Sequence, residues 1–195
     1  MKIIFSLILF FLFETTLFAF SNDYIANAIK EVSQKEEIDS RIIYTILEIE
    51  SDFEPFVISM TTSMENAKKF KNINNPDIKI FANEYKYNKE KWIVSFYPKN
   101  LALAKALARA FKTQKFSFDV GIAQINTSNF KIEEIDYIFD PRYNISKSSK
   151  ILKECLHIKK DIKNTIECYN YGTKKRPSYP YYNKFKSTFT KNFGV

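Results

Sequence analysis

A chain of 195 residues carrying a formal net charge of +8 has room for one domain with a sizeable core, but not comfortably for two. That charge suits an anionic partner: nucleic acid, a membrane surface or an acidic wall polymer. With one histidine and two cysteines the sequence offers no ligand cluster for a metal, no glycine loop fit to cradle phosphate, and no reason to expect a cofactor.

The first residues read as a targeting segment. Lys2 is followed by the apolar run Ile3 to Phe13, too short to span a bilayer, and by a small-x-small site at Ala19-Phe20-Ser21. Residues 1–21 are therefore expected to be a cleavable signal peptide, with 22–195 as the mature chain and an uncleaved membrane anchor as the alternative. Export makes the protein periplasmic or secreted and moves the anionic partner from nucleic acid toward the wall or membrane. In an oxidising compartment Cys155 and Cys168 form a disulfide by default, tying the end of one helix to the start of the next; two free buried thiols are the alternative.

Ile25, Ile29 and Val32 are spaced for a first helix. A second should start at Asp39 or Ser40, either a suitable N-cap, and run to about Ser51, short of Pro55. Short or irregular structure is expected from Val57 to Pro76, then a hairpin of Ile78 to Ala82 with Lys91 to Tyr97. The Ala- and Leu-rich stretch Asn100 to Phe111 predicts a helix. Phe118 to Asn126 is apolar but interrupted by Gly121, which marks a turn or a close backbone approach. Asn144 or Ser146 could cap a helix carrying Ile151, Leu152 and Leu156 on one side, and a short helix from Ile162 to Tyr171 should end at Gly172. The tail mixes cations with Tyr and Phe, as wall-contacting surface or as a solvated terminal helix. The fold class is mostly α.

The second helix holds the sharpest question, because it ends in Glu48, Glu50 and, just beyond, Glu54. With Ile43 at the centre of the apolar stripe, Glu50 returns to within about 20° of it, whereas Glu48 falls about 140° away. Glu48 is the expected solvent residue. An inward carboxyl must be protonated, paired or set in a cleft, and wheel position alone leaves a general acid and a structural carboxylate equally open.

Four stretches stand in order along the chain: Glu50-Ser51-Asp52-Phe53-Glu54-Pro55, Gly121-Ile122-Ala123-Gln124-Ile125-Asn126, Asp140-Pro141-Arg142-Tyr143-Asn144-Ile145 and Cys168-Tyr169-Asn170-Tyr171-Gly172. Together they resemble the lytic transglycosylase domain of the soluble, goose-lysozyme-like type. Ala123 stands where the family usually has Met, and Cys168 and Tyr171 stand where it has Ala. The interval from Glu50 to Gly121 is longer than in the minimal domain, with an insertion at about 57–98. This is similar to small members that accompany conjugation and type IV secretion systems.

The resemblance implies a lysozyme-like α+β fold with a small β-hairpin insertion and cleavage of the β-1,4 bond between N-acetylmuramic acid and N-acetylglucosamine, giving a 1,6-anhydro end. It implies Glu50 as the sole acid and base. Ser51 and Gln124 would orient Glu50 or bind acetamido groups, and Asn126 and Asn170 would bind substrate, with a structural role for Asn170 as the alternative. Tyr169 would donate to Glu50, and Tyr181 would stand in the cleft wall. Asp119 is expected to be a solvated turn residue; facing Glu50 across the cleft it would favour a two-carboxylate mechanism. The implied partners are peptidoglycan strands and components of an envelope-spanning secretion or conjugation apparatus, not nucleic acid, with the chain a monomer. A muramidase of the same fold and a non-catalytic wall-binding assembly module remain as alternatives.

Overall fold

A computed structural model describes residues 20–85, 88–174 and 178–194; apart from Phe20 and Ser21, the predicted signal segment lies outside them. α1 (Asn22–Glu36) is capped by Ser21, which accepts from the Tyr24 N–H. α2 (Ser40–Ser51) starts at Asp39, whose carboxylate accepts from the Arg41 N–H, and stops where Asp52 and Phe53 turn left-handed, at φ 53° and 64°. That double reversal leads the chain away from the helix end immediately after Glu50.

The stretch expected to be irregular is ordered instead. It holds β1 (Ile58–Ser63) and α3 (Met64–Lys71), with Ser63 as the helix cap. The cause is the inward series Ile58 and Met60, both buried in the core, followed by Ala67; the Ser, Thr and Asn content hides this series. β2 (Ile78–Glu84) and β3 (Lys91–Pro98) pair antiparallel as expected. α4 (Leu101–Thr113) follows, capped by Asn100. Two short strands, β4 (Asp119–Val120) and β5 (Ile125–Asn126), flank the Gly121 turn. The sheet is therefore five-stranded, in the order β2-β3-β1-β4-β5, because Ile58 and Ser59 of β1 pair with Val120 and Asp119. The hairpin region is joined through β1 to the turn that carries Gln124.

Two 3₁₀ turns, Thr127–Asn129 and Ile132–Asp136, lead to α5 (Pro141–Lys159). Its cap is Asp140, not Asn144 or Ser146, with proline pre-set for the first turn. Asn144 is needed elsewhere, beneath the Gly121 turn. Leu156 is exposed rather than packed with Leu152. α6 (Ile162–Tyr171) closes on Gly172 at φ 75°, and α7 (Pro180–Phe193) forms the tail as a helix. Among the described residues no helix is long and apolar enough to cross a membrane.

The larger core joins α1, α2 and α4 to the sheet and the Gly121 turn. A smaller one, formed by Ile46, Leu152, Ile166, Tyr181 and Phe185, lies where α2, α5, α6 and α7 meet. Cys155 and Cys168 are bonded and link α5 to α6. Closing a loop of that length restricts the unfolded chain by about 3 kcal/mol. The Cys155→Ser, Cys168→Ser double variant should lose about that much, read as a lowered denaturant midpoint with an m-value at or above native, since the unfolded chain is no longer cross-linked; an unchanged midpoint would show the bond to be dispensable.

Candidate functional site

A cleft of about 660 Å³ opens between the sheet and the α5–α6 pair, with Glu50 in its lining. A wider hollow of about 850 Å³ lies between α1, α2 and Phe193, but its lining excludes Glu50 and every residue of the three downstream motifs. The cleft lining holds three carboxylates, Glu50, Asp119 and Glu154, and no lysine or arginine, in a chain of net charge +8.

Glu50 meets the cleft with part of its side chain, yet protein atoms crowd its carboxyl. Loss of hydration is the main reason its pKa rises to about 7, and the negative charge of Asp119 adds to the rise. Hydrogen bonds from Tyr181 and Asn170 and the cation of Lys184 act in the opposite direction without cancelling it. The Tyr181 hydroxyl donates to Glu50 Oε1. Burial and the neighbouring carboxylate push that phenol well above its ordinary pKa, so it remains a donor.

Of the other two glutamates, only Glu48 is on α2, and it lies on the side that the helical wheel requires. Glu54 is exposed. Glu48 lies on the outer side of α2, though not free in solvent: it accepts from the Asn192 side chain on α7.

Tyr169 does not donate to Glu50. Its hydroxyl gives its proton to the Ala123 carbonyl at 2.9 Å and shares a 2.8 Å bond with Ser148 Oγ, so it fastens α6 to the Gly121 turn and to α5. The tyrosine that touches Glu50 is Tyr181, one α-helix later. The sequence supports only a cleft-wall expectation for it, because no spacing rule says which of two phenols reaches across.

Ser51 is likewise occupied. Its hydroxyl donates to the Ile122 carbonyl at 2.7 Å, pinning the end of α2 to the turn, and it is not in the cleft lining. Gln124 lines the cleft at φ 48°, a backbone conformation that only surrounding bonds sustain. Its amide donates to Gly121 O at 2.9 Å and to Val57 O at 3.3 Å, while its carbonyl accepts from Ser59. Ser59, from the segment expected to be irregular, thus enters the cleft although no motif points to it. Asn126 donates to Asp119 Oδ1 at 2.8 Å and accepts from the Ser128 N–H. Asn170 lines the cleft and bonds Glu50.

Asn144 organises the turn from below. Fully buried, it accepts from the Ala123 N–H at 2.8 Å and donates to Val120 O and Ile138 O. Gly121 sits directly on it at φ 78°, and a Cβ there would overlap the Asn144 amide. This close approach is why the sequence needs glycine at that position.

Asp119 is no solvated turn residue. It stands in β4 between Ser59 and Asn126, lines the cleft with Glu50, and burial raises its pKa to about 6 against the hydrogen bond from Asn126. Among the described residues no group of three or more His, Cys, Asp or Glu is placed to hold a metal.

A family model described as "Transglycosylase SLT domain" matches residues 27–191. No curated protein and no solved structure matches the chain.

Proposed function

Since the chain belongs to the transglycosylase SLT domain family, whose members are lytic transglycosylases acting on peptidoglycan outside the cytoplasm, we propose that it cleaves the N-acetylmuramic acid to N-acetylglucosamine β-1,4 bond with Glu50 as acid and base. The observation that carries this reading is a cleft carboxyl poised near neutrality and gripped by Tyr181 and Asn170. A general acid is most effective when its pKa lies near the working pH.

Protonated Glu50 gives its proton to the leaving glycosidic oxygen as the C1–O bond breaks. The muramoyl acetamido carbonyl oxygen closes on C1 and carries the positive charge as an oxazolinium ring. The Glu50 carboxylate then takes the proton of the C6 hydroxyl, whose oxygen attacks C1 and reopens the ring. The 1,6-anhydro sugar forms, the acetamide is restored, and Glu50 ends protonated as it began. Gln124, Ser51 and Tyr169 act at one remove, holding the Gly121 turn against α2 and α6, and Asn126 and Asn170 supply polar cleft wall.

The long interval between Glu50 and Gly121, filled by the strands and helices from β1 to α4, supports a specialised role in local wall remodelling during assembly of a secretion or conjugation apparatus. The chain acts as a monomer and is directed there by a cleavable signal. Its positive charge favours approach to an anionic wall. Purified protein should release soluble muropeptides from sacculi; binding without release would instead assign it to a wall-binding assembly module.

Tyr181 stabilises the charged form of Glu50, so Tyr181→Phe should raise the pKa of Glu50 further. Activity requiring protonated Glu50 falls as pH rises past about 7 in the native protein. In Tyr181→Phe that alkaline limb should move to higher pH, with a lower maximum because the carboxyl is less firmly held. A limb that stayed in place in a pH–rate profile would contradict the hydrogen bond's assigned effect.

A further inference from the structure

We infer that Asp119 is a second catalytic carboxylate of this cleft, which accepts the N–H of the reacting sugar's acetamido group and leaves proton transfer to Glu50. The inference rests on the transglycosylase reading and adds to it the group that makes acetamido participation efficient.

Strand geometry aims the side chain. Phe118 and Val120 are buried in the core, and successive residues of a strand face opposite sides, so Asp119 between them must face the other way. Its ladder neighbours Ser59 and Asn126 line the same cleft. The side chain therefore stands on the cleft face of a strand fixed on both edges, a more precise placement than a loop gives.

Its bonding is incomplete. Oδ1 accepts from Asn126, and among the described residues no cation pairs with Asp119 and no side chain or backbone N–H donates to Oδ2. Asp119 lines the cleft and Oδ2 is not sealed in the protein, so that oxygen is free to accept from a sugar bound there. It shares the cleft lining with Glu50, and its negative charge adds to the rise in the pKa of Glu50 and of Tyr169, so a sugar bound there meets both carboxyls.

The chemistry selects the donor. When the acetamido carbonyl oxygen bonds to C1, positive charge spreads over the O–C–N unit and the N–H becomes a stronger donor. The bond from that N–H to a fixed carboxylate is stronger in the transition state than in the ground state, which is what lowers a barrier. The proton stays on nitrogen throughout. No covalent bond to Asp119 forms, and no water is consumed.

Asp119→Asn keeps an oxygen for Asn126 to donate to, so the fold should survive, as a thermal melt will show. Its kcat on defined glycan strands should drop by about 100-fold, the scale seen when one charge-stabilising group is removed, with KM changed less than about threefold. The native pH profile should have an acidic limb near 6, where Asp119 ionises, and this limb should vanish in the variant. Asn126→Ala, which removes the donor to Asp119 Oδ1 but leaves the carboxylate, should keep that limb and move it to higher pH, because the lost hydrogen bond had held the pKa down. Turnover of Asp119→Asn within about threefold of native, with anhydro products, would overturn this inference alone. Loss of the limb in Asn126→Ala as well would overturn it too, for then Asp119 serves only to anchor Asn126. Reducing-end products from the native protein would overturn the transglycosylase reading and this inference together.

Discussion

Replacing Glu50 with Gln should lower turnover on peptidoglycan by about 10³ to 10⁴-fold, toward the upper end of what general acid–base catalysis supplies, because one residue performs both proton transfers. Gln has the same shape, can still accept from Tyr181 and leaves the core around Ile46 and Tyr181 intact. Removing a carboxyl whose pKa is raised to about 7 by burial should cost no stability. The sign is clear: the fold favours the protonated form, so ionisation of Glu50 between its ordinary value of 4.5 and about 7 works against folding, and this cost grows as pH rises through that window. Glu50→Gln should therefore melt at or above the native temperature at pH 8 while losing activity. A variant that lost both together would identify Glu50 as a structural carboxylate, the reading that helical-wheel position alone leaves open.

The second large effect belongs to a residue that never meets substrate. Asn144→Ala takes away the acceptor of the Ala123 N–H and the donor to Val120 O and Ile138 O. It leaves three buried backbone groups unsatisfied at about 1–3 kcal/mol each, less whatever water enters the space. A net loss of about 4 kcal/mol should lower the melting temperature by roughly 8–16 °C for a domain of this size. The Gly121 turn holds Gln124 and receives the bonds of Ser51 and Tyr169, so activity should fall even at temperatures where the variant remains folded. Asn144→Asp keeps the acceptor but turns its second oxygen toward the Val120 and Ile138 carbonyls in a fully buried site, so at neutral pH it should be at least as damaging as Asn144→Ala, with partial recovery at acid pH, where a protonated carboxyl can donate to one of them. A melting temperature within about 2 °C of native for Asn144→Ala would show that the turn is held by other means.

These two residues also show what the sequence can and cannot reveal. Glu50 is legible because a glutamate on the apolar stripe of a well-capped helix is a visible anomaly; α1 and α2 are legible from the same periodicity, α4 from its Ala and Leu content and α6 from its glycine stop. Asn144 reads as a cap because Asn commonly is one; its actual role depends on a turn 21 residues earlier in the chain, which local propensity does not register. Motif position points Ser51 and Gln124 at the substrate or at Glu50, and Tyr169 at Glu50. Each instead spends its polar atoms on the frame, since the backbone of a tight turn must be satisfied before a sugar arrives. The exchange of roles between Tyr169 and Tyr181 has the same origin: both phenols are on helices that converge on α2, and only tertiary packing decides which one reaches Glu50. β1 is hidden because only Ile58 and Met60 alternate before Thr61-Thr62-Ser63 ends the pattern, and Asp119 resembles a turn residue because β4 is only two residues long.

Whether the C6 hydroxyl or water attacks the anomeric carbon separates a lyase from a hydrolase. Digestion of peptidoglycan in water enriched in oxygen-18, with the released muropeptides weighed by mass spectrometry, distinguishes the two. Intramolecular attack by the C6 hydroxyl predicts ends lighter by one water than hydrolytic ends and free of the heavy isotope, formed by the native protein and not by Glu50→Gln. Reducing ends carrying oxygen-18 would mean that water is the acceptor, and would contradict a proton-shuttling Glu50 that closes the sugar on itself.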